Sequence, residues 1–220
     1  MLVEIRAAEG GDDAKNLVRE QFALYQRRAK FLNLKLELIE ELPSQISFRV
    51  SGPKGWAEDA FSDERGGHRW QRIPPNEKRG RVHTSTVTVA CMPENAAVSY
   101  FEICDVDFRY DRGTGPGGQN KNKVETRVTA THVPSGAKVV CDVERTQGQN
   151  KRLALALLQA RVVTEARRKA QQADALTRKE QVGSGMRGDK RRTIRMQDGI
   201  VKDHLSGQTW EINSYLSGKW

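Results

Sequence analysis

The decapeptide GTGPGGQNKN, residues 113–122, combines four glycines with a proline, a glutamine and a lysine. It cannot hold regular structure, because glycine loses the most backbone freedom on ordering and proline lacks a backbone N–H donor. Gly117 and Gly118 can adopt positive φ, and exposed N–H groups of such turns form small nests that stabilise an oxyanion. The Gln119 amide does not titrate near pH 7, so it positions water but is a poor general base. The sequence predicts a loop that brings a neutral amide to a reactive centre.

Positive charge surrounds this loop and concentrates in the second half of the chain. Residues 1–100 carry 15 Lys and Arg against 14 Asp and Glu, whereas residues 101–220 carry 22 against 14. Arg112, Lys121 and Lys123 would hold phosphates in the sequence-independent way that dominates nucleic-acid affinity. An anionic membrane surface is the poorer partner, because no apolar stretch approaches the roughly 18 residues that span a bilayer. The start of the chain lacks a signal peptide's apolar core, so we expect a cytoplasmic protein.

Metal and nucleotide cofactors are not predicted. The four histidines form neither an H-E-x-x-H motif nor a close pair. Gly113, Gly115 and Gly118 have dinucleotide-binding spacing, but they lead toward a strand instead of opening a helix. Cys91, Cys104 and Cys141 are odd in number and lack C-x-x-C spacing, so we interpret them as buried thiols.

The elements of the first half predict a helix packed over a sheet. VEIRA predicts a strand, the break at residues 10–13 supplies acidic N-cap candidates, and helical periodicity runs to about residue 32. LKLELIEE, QISFRVSG and TSTVTVACM are typical of strands. Small polar residues near positions 93–99 indicate a domain boundary.

The second half predicts a strand, a hairpin and a long helix. DVDFRYD alternates as a strand, and RVTATHV and AKVVCDV flank Pro134-Ser135-Gly136, which suits a tight antiparallel turn. Apolar periodicity from Asn150 predicts a basic amphipathic helix that ends before Gly183. The last segment is expected to return to the first domain. We therefore predict an α+β protein with a domain at 1–98, completed by 186–220, and a second domain at 99–185.

Several long segments resemble one family, in the same order along the chain. They are GTGPGGQNKNKVETRVTATHVPSGAKVVCDVERTQGQNKRLALALLQAR, GGHRWQRIPPNEKRGRVHTSTVTVACMPE, EIRAAEGGDDA and GSGMRGDKRRTIRMQDGIVKDH. All are similar to bacterial class I peptide chain release factors, and together they cover most of the chain. The resemblance implies a sandwich-like α/β codon-recognition domain at 1–98. It also implies a GGQ domain at 99–185, with a small mainly antiparallel sheet and a long basic helix, that promotes peptidyl-tRNA hydrolysis.

The resemblance assigns the chemistry of the glycine loop. It implies that Gly117, Gly118 and Gln119 enter the peptidyl-transferase centre of the ribosome and promote hydrolysis of the ester of the P-site peptidyl-tRNA. There the Gln119 N–H would stabilise an oxygen and its side chain would shape the site for water. In the family a glutamine methyltransferase modifies this amide, so Gln119 is a candidate for methylation. Candidate contacts to ribosomal RNA are Arg112, Lys121, Lys123, Arg145, Gln147, Asn150, Lys151 and Arg152.

The resemblance also implies residues that read a stop codon of the mRNA in the decoding centre. They are Gly10, Asp13, Gln71, Pro74, Pro75, Asn76, His83 and Thr84. His83 matches a histidine that stacks between codon bases, and such stacking is worth about 1–3 kcal/mol. Pro74-Pro75-Asn76 departs from the family's Pro-x-Thr and Ser-Pro-Phe tripeptides, which leaves the choice of stop codon open. Trp70 stands where a small aliphatic residue is commoner, and we interpret it as a core residue.

Three readings of the function remain. The first is a monomeric termination factor that promotes hydrolysis only together with the ribosome. Full-length family members begin with a helical domain that is expected to be missing here, and this favours the second, a rescue factor with relaxed or no codon dependence. The third is a non-catalytic protein that binds ribosomal RNA through the basic domain.

Overall fold

The chain divides into two compact units. The computed structural model describes residues 1–75, 77–93, 101–113 and 123–220. Unit 1 comprises Met1–Asn95 and Asp174–Trp220, and unit 2 comprises Ala96–Ala173. The fold is α+β, as predicted from the sequence.

The described residues form eleven strands and four α-helices. The strands are β1 (Leu2–Ala7), β2 (Lys35–Leu42), β3 (Gln45–Ser51), β4 (Gly66–Arg72), β5 (His83–Met92), β6 (Val106–Asp111), β7 (Arg127–His132), β8 (Ala137–Cys141), β9 (Arg192–Arg195), β10 (Ile200–Asp203) and β11 (Thr209–Glu211). The helices are α1 (Gly11–Phe31), α2 (Trp56–Phe61), α3 (Gln147–Val182) and α4 (Ile212–Leu216). Short 3₁₀ turns lie at Ser62–Glu64 and Ile103–Asp105.

Within the described ranges, eight strands of unit 1 form one sheet in the order β11-β10-β9-β4-β5-β1-β3-β2. The pairing of β4 with β9 is parallel, and the other neighbours are antiparallel. Through this parallel pairing the three C-terminal strands, β9, β10 and β11, extend the sheet at one end. The C-terminal segment therefore lies in the same unit as the N-terminal strands.

Helix α1 packs its predicted apolar face on this sheet. Leu17, Val18 and Tyr25 are fully buried, and the ring of Phe22 lies 5.1 Å from that of Phe48 on β3, between centroids. Such burial along one face explains why the helical periodicity of the sequence predicted the element correctly. Trp70 of β4 is also buried, as predicted, and its Nε1 donates to Oε1 of Gln21 on α1 over 3.1 Å.

The start of α1 differs from the prediction that an aspartate caps it. Gly10 is the N-cap residue and makes no side-chain cap, while Asp12 and Asp13 lie in the first turn. Gly10 has a φ of 140°, in a region that side-chain-bearing residues rarely adopt, so glycine takes the N-cap position. The two carboxylates still favour the positive end of the helix dipole.

A buried ion network joins the C-terminal segment to the rest of unit 1. Nη1 of Arg192 on β9 lies 2.6 and 2.7 Å from the two carboxylate oxygens of Glu64, and its Nη2 lies 3.2 Å from Oδ2 of Asp203. Each of these three residues is 1 % exposed. Glu64 also accepts from the Tyr25 hydroxyl and from Nε1 of Trp220. Burial raises the pKa of Glu64, but Arg192 and His68 outweigh it and lower the pKa overall.

His68 is expected to make the protein sensitive to mild acid. Its Nε2 donates to the Glu64 carbonyl over 2.8 Å, and burial lowers its pKa from 6.5 to about 4. Between pH 6.5 and about pH 4 the histidine is protonated in the unfolded chain but neutral in the folded protein. The free energy of unfolding therefore decreases as the pH falls. From pH 7 to pH 5 the free energy of unfolding should drop by about 2 kcal/mol. Urea unfolding at several pH values measures this.

A histidine replacement isolates that effect. His68→Gln keeps a donor for the Glu64 carbonyl but removes the titrating ring, so its stability should change much less between pH 7 and pH 5. The exposed His204 provides the control, because His204→Gln should retain most of the wild-type loss. An unchanged pH dependence in His68→Gln would show that another group causes the loss.

Unit 2 consists of a small antiparallel sheet backed by α3. Strands β6, β7 and β8 pair in that order, and Gly136, with φ of 68°, forms the tight turn of the predicted β7–β8 hairpin. Helix α3 spans 36 residues, about 54 Å, and begins at Gln147 rather than at Asn150 as predicted. Its buried residues, spaced every fourth position, are Asn150, Ala154, Leu158 and Val162. Ala154, Leu158 and Val162 form one core with Val128 and Ala130 of β7, so the helix buries one face and exposes its basic side.

The last turns of α3 belong to unit 1. Gln181 exchanges two hydrogen bonds of 2.8 Å with the backbone N–H and carbonyl of Cys91, and Nε of Arg178 lies 3.1 Å from Oε1 of Glu4. Along the chain, the boundaries between the two units fall at 95/96 and 173/174, whereas the sequence analysis predicted them at 98/99 and 185/186.

In the part of the chain described here, no helix is both long and apolar enough to cross a membrane.

The cysteines are only partly as predicted. Cys91 and Cys141 are buried thiols. Cys104 is exposed, which corrects the prediction that all three are buried; it lies in the 3₁₀ turn before β6, where its side chain contacts Glu102.

Candidate functional site

An open polar cleft lies where β5 begins, beside the N-terminus of α1. Gly10, Gly11, His83, Thr84 and Arg187 line it, and its volume is about 590 Å³. The cleft brings together Gly10, His83 and Thr84, which the sequence predicted as site residues from two separate segments. The end of a helix contributes unpaired N–H groups, the histidine an aromatic ring and the threonine a hydroxyl. Such groups can stack on and hydrogen-bond the bases of single-stranded RNA.

The wall between α1 and β5 depends on glycine at position 10. A Cβ atom on Gly10 would lie 2.6 Å from both Cβ and Oγ of Ser85, and 2.9 Å from its Cα. Real Cβ atoms do not approach so closely, so the helix start contacts the strand only because no side chain intervenes. This contact holds the start of α1 directly against β5 at the edge of the cleft.

Gly10→Ala should therefore damage both stability and the cleft. The positive φ alone costs about 1–3 kcal/mol, and the contact with Ser85 forces the helix start away from β5. Gly11→Ala is the matched control, because Gly11 also has positive φ, 62°, but has nothing within 4 Å of the added Cβ. Urea unfolding should show a larger loss for Gly10→Ala than for Gly11→Ala. Equal losses would mean that the approach to Ser85 has no energetic consequence.

Glu77 holds the loop before β5 against His83. Nε2 of His83 donates to Oε2 of Glu77 over 2.6 Å, and the Arg79 N–H donates to Oε1 over 2.7 Å. The bond to the Arg79 backbone, with contributions from His83 and Arg81, lowers the pKa of the Glu77 carboxyl. The His83 side chain is 43 % exposed, so one ring nitrogen is anchored while the ring remains accessible.

Other predicted codon-reading residues surround the cleft with different exposures. Gln71 lies opposite Thr84 in the β4–β5 register, and both are partly exposed. Pro74 is buried and accepts the Glu77 N–H in a turn, while Pro75 is exposed. Asn76 lies outside the described residues.

Asp13 is oriented by an ion pair at the base of the helix. It is buried, and its Oδ1 accepts from Nη2 of Arg72 over 2.7 Å. Arg72 also contacts Glu20 of α1, so the guanidinium joins the end of β4 to the first three turns of the helix. The Asp13 side chain thus supports the helix start that borders the cleft.

Sequence reasoning missed Arg187 and Glu77. Arg187 lies about a hundred residues beyond His83 in the chain, and its backbone N–H and Nε contact the Glu9 carboxylate at 3.1 and 3.2 Å. No local signal in the sequence predicts this contact. Glu77 stands six residues before His83 as the one acid among the basic residues of 72–81, and that pattern was the available clue.

In unit 2 the structure locates the flanks of the glycine loop. Gly117, Gly118, Gln119 and Lys121 lie outside the described residues. The predicted RNA-binding side chains that are exposed are Arg112, Lys123, Arg145, Gln147, Lys151 and Arg152. Nζ of Lys151 lies 4.6 Å above the centre of the Phe108 ring, so a cation–π contact orients this lysine.

Asn150 has a structural role, which corrects its assignment as an RNA contact. The side chain is fully buried. Its Nδ2 donates to the carbonyls of Thr126 and Glu144 over 2.8 and 3.0 Å, and its Oδ1 accepts the Glu144 N–H over 2.9 Å. Gln147 adds a bond of 2.8 Å from Nε2 to the Glu125 carbonyl. The start of α3 therefore holds the segment that enters β7, because a buried carboxamide must satisfy its hydrogen bonds inside the protein.

Two family models define the class of protein to which this fold and cleft belong. Residues 1–89 match the PCRF domain, and residues 98–205 match the RF-1 domain. The chain belongs to the family of bacterial class I peptide chain release factors.

Individual relatives extend this similarity over the whole chain. It is 40% identical to Peptide chain release factor 1 of Brachyspira hyodysenteriae (strain ATCC 49526 / WA1), over 100% of this chain and 63% of the relative. It is 37% identical to Peptide chain release factor 1 of Geobacillus kaustophilus (strain HTA426), over 99% of this chain and 63% of the relative. A solved structure of RF2 of Thermus thermophilus is similar with a TM-score of 0.55 and 27% identity, over 99% of this chain and 64% of that one. The chain thus spans somewhat less than two thirds of the length of these relatives.

Proposed function

We propose that this chain is a cytoplasmic translation termination factor. It recognises a stop codon of the mRNA in the ribosomal A site and triggers hydrolysis of the P-site peptidyl-tRNA ester, which releases the nascent peptide. The observation that carries this proposal is the cleft that collects Gly10, His83 and Thr84 beside Arg187. Family membership supports it, because relatives of similar sequence are named peptide chain release factors.

Each group of the cleft has a role in reading bases. The His83 ring stacks on a base while Glu77 fixes its orientation through Nε2. Thr84 and Gln71, neighbours on paired strands, offer a hydroxyl and an amide to a base edge. The N–H groups at the start of α1 bind acceptor atoms, and the Arg187 guanidinium attracts the RNA backbone.

Hydrolysis falls to the glycine loop. In this proposal Gln119 enters the peptidyl-transferase centre, its N–H stabilises the developing oxyanion, and its side chain shapes the site for water. The amide of Gln119 is also the proposed site of methylation by a glutamine methyltransferase. The chain acts as a monomer, and the ribosome supplies the remainder of the reaction centre, so free protein should have negligible esterase activity.

A release assay with defined codons tests the proposal. Ribosomes carrying a labelled initiator aminoacyl-tRNA in the P site are programmed with each stop codon, with sense codons, or with an empty A site. Release should occur at one or more stop codons and remain at background elsewhere. Pro74-Pro75-Asn76 makes the pattern among the stop codons informative, because asparagine presents a longer, planar group than threonine.

The same assay decides between termination and rescue. Equal release at stop, sense and empty A sites would contradict codon reading and favour a rescue factor. Ribosome binding without release under any condition would favour a non-catalytic RNA-binding protein.

A further inference from the structure

A second polar surface lies on the face of the unit 1 sheet opposite α1. Trp70, Ile194 and Val201 of neighbouring strands face the core. Side chains alternate across a sheet, so the residues between them face the other way. Arg69 of β4, Thr193 of β9 and Lys202 of β10 form one row in register across three strands.

Arg195 lies on the same face of β9, two residues after Thr193, in the neighbouring row. It lies beside Gln71 of β4, and Gln71 lies opposite Thr84 of β5, which lines the cleft. We refer to Arg69, Arg195 and Lys202 as the basic face. Lys202 and Arg195 are exposed, whereas Arg69 is partly buried.

The cations of the basic face have few acidic partners. Nε of Arg69 is buried and makes no hydrogen bond within the described part of the chain. Arg195 pairs with Asp198 at 3.4 Å, but both side chains are 53 % exposed, and such surface pairs contribute little. The acidic residue in register with Arg195 across the sheet is Glu211 of β11, and Ile200 of the intervening strand β10 lies between them.

These positive groups also repel one another. Partial burial and the charge of Arg195 lower the pKa of Arg69. The exposed His204 shares a hydrogen bond of 2.8 Å with Thr193, and its pKa is lowered by partial desolvation and by the charges of Lys190, Arg69 and Lys202. Clustered like charges oppose folding, and a polyanion that binds the face would neutralise them.

We propose that the basic face binds the phosphate backbone of ribosomal RNA. The strip is two strand spacings wide, about 10 Å. This width fits a folded RNA surface with phosphates from more than one strand, whereas the single codon strand is read in the cleft at the strand ends. The inference deepens the proposed function, because the face would seat the sheet on the ribosome while the cleft reads the codon.

Salt-dependent binding to vacant ribosomes, without mRNA, tests the proposal. Each phosphate contact contributes about 0.7–0.9 to the slope of log affinity against log salt concentration. The triple variant Arg69→Gln, Arg195→Gln, Lys202→Gln should therefore lower that slope by about 2–3. The matched control neutralises three exposed lysines elsewhere in unit 1, Lys30→Gln, Lys54→Gln and Lys219→Gln, and should lower it much less.

A single charge reversal removes folding as an explanation. Lys202 is exposed, so Lys202→Glu should keep the wild-type unfolding midpoint while weakening ribosome binding at least as much as Lys202→Gln. If the triple variant has the same slope as wild type, the basic face is not an RNA contact, and the proposed release function is untouched. A defect that appears only when mRNA is present would assign the face to mRNA and overturn the proposal. Conversely, the wild-type protein could bind ribosomes with the expected salt dependence and yet show no codon-dependent release. That result would contradict the proposed release function but not the proposal that the basic face binds ribosomal RNA.

Discussion

Replacing Glu64 by alanine should lower the free energy of unfolding by about 3–5 kcal/mol, because it leaves a buried guanidinium without its main counter-ion. Arg192 is 1 % exposed, and the neighbouring Glu64 carboxylate keeps its pKa raised. The Tyr25 hydroxyl and the Trp220 indole N–H lose their acceptor in the same variant. Chemical denaturation measures the loss. A decrease below 1 kcal/mol would mean that the network is not a major source of stability.

Two further variants distinguish the stability lost by breaking the ion network from the stability lost by removing any carboxylate. Glu180→Ala removes an exposed carboxylate from α3 and should change stability by no more than about 0.5 kcal/mol. The double variant Glu64→Leu with Arg192→Met removes both charges, and an apolar pair of similar size is often neutral or stabilising. It should therefore lose less than the sum of the two single variants. Additive losses would contradict direct coupling between these side chains.

Gln119→Ala keeps the backbone N–H but removes the side chain that shapes the site for water, so it should reduce stop-codon-dependent release by about 10²-fold, the cost of misplacing a reacting group by about 1 Å. Ribosome binding should persist with its salt dependence, because the phosphate contacts remain. Single-turnover release at saturating protein concentration, together with a binding titration, measures both quantities.

A glutamine on the exposed side of α3 provides the control for this variant. Gln159→Ala makes the same chemical change in the same unit, at an exposed helix position, and should leave release within about twofold of wild type. If Gln119→Ala releases peptide as fast as Gln159→Ala, the glycine loop does not act as proposed. Loss of binding together with release would assign Gln119 to docking instead.

The structural elements nearest to local sequence patterns were the best predicted. The β7–β8 hairpin follows from alternation on both sides of Pro134-Ser135-Gly136, and Gly136 adopts the positive φ that such a turn needs. Helix α1 follows from its apolar stripe, and α3 was predicted to within a turn at its start. These features depend on neighbours within four residues, so the sequence contains their cause directly.

Several site residues could not be assigned from such patterns. Asn150 follows a motif that implied RNA contact, but its carboxamide satisfies backbone groups of residues 126 and 144 inside unit 2. Arg187 reaches the cleft because the segment after α3 crosses to Glu9. The hydrophobic periodicity of the sequence predicts neither contact, because each depends on groups that are far away in the sequence but close in the folded structure.

The sequence by itself determined the α+β composition, the hairpin, the two long helices, the basic second half and, through its motifs, the family. Only the tertiary structure decided that β9 pairs with β4, that Glu64 and Arg192 meet although 128 residues separate them, and that Gly10 touches Ser85 at the cleft. Local propensity and turn chemistry act over a few residues, whereas strand register and buried charge pairing are settled by the packing of the whole core.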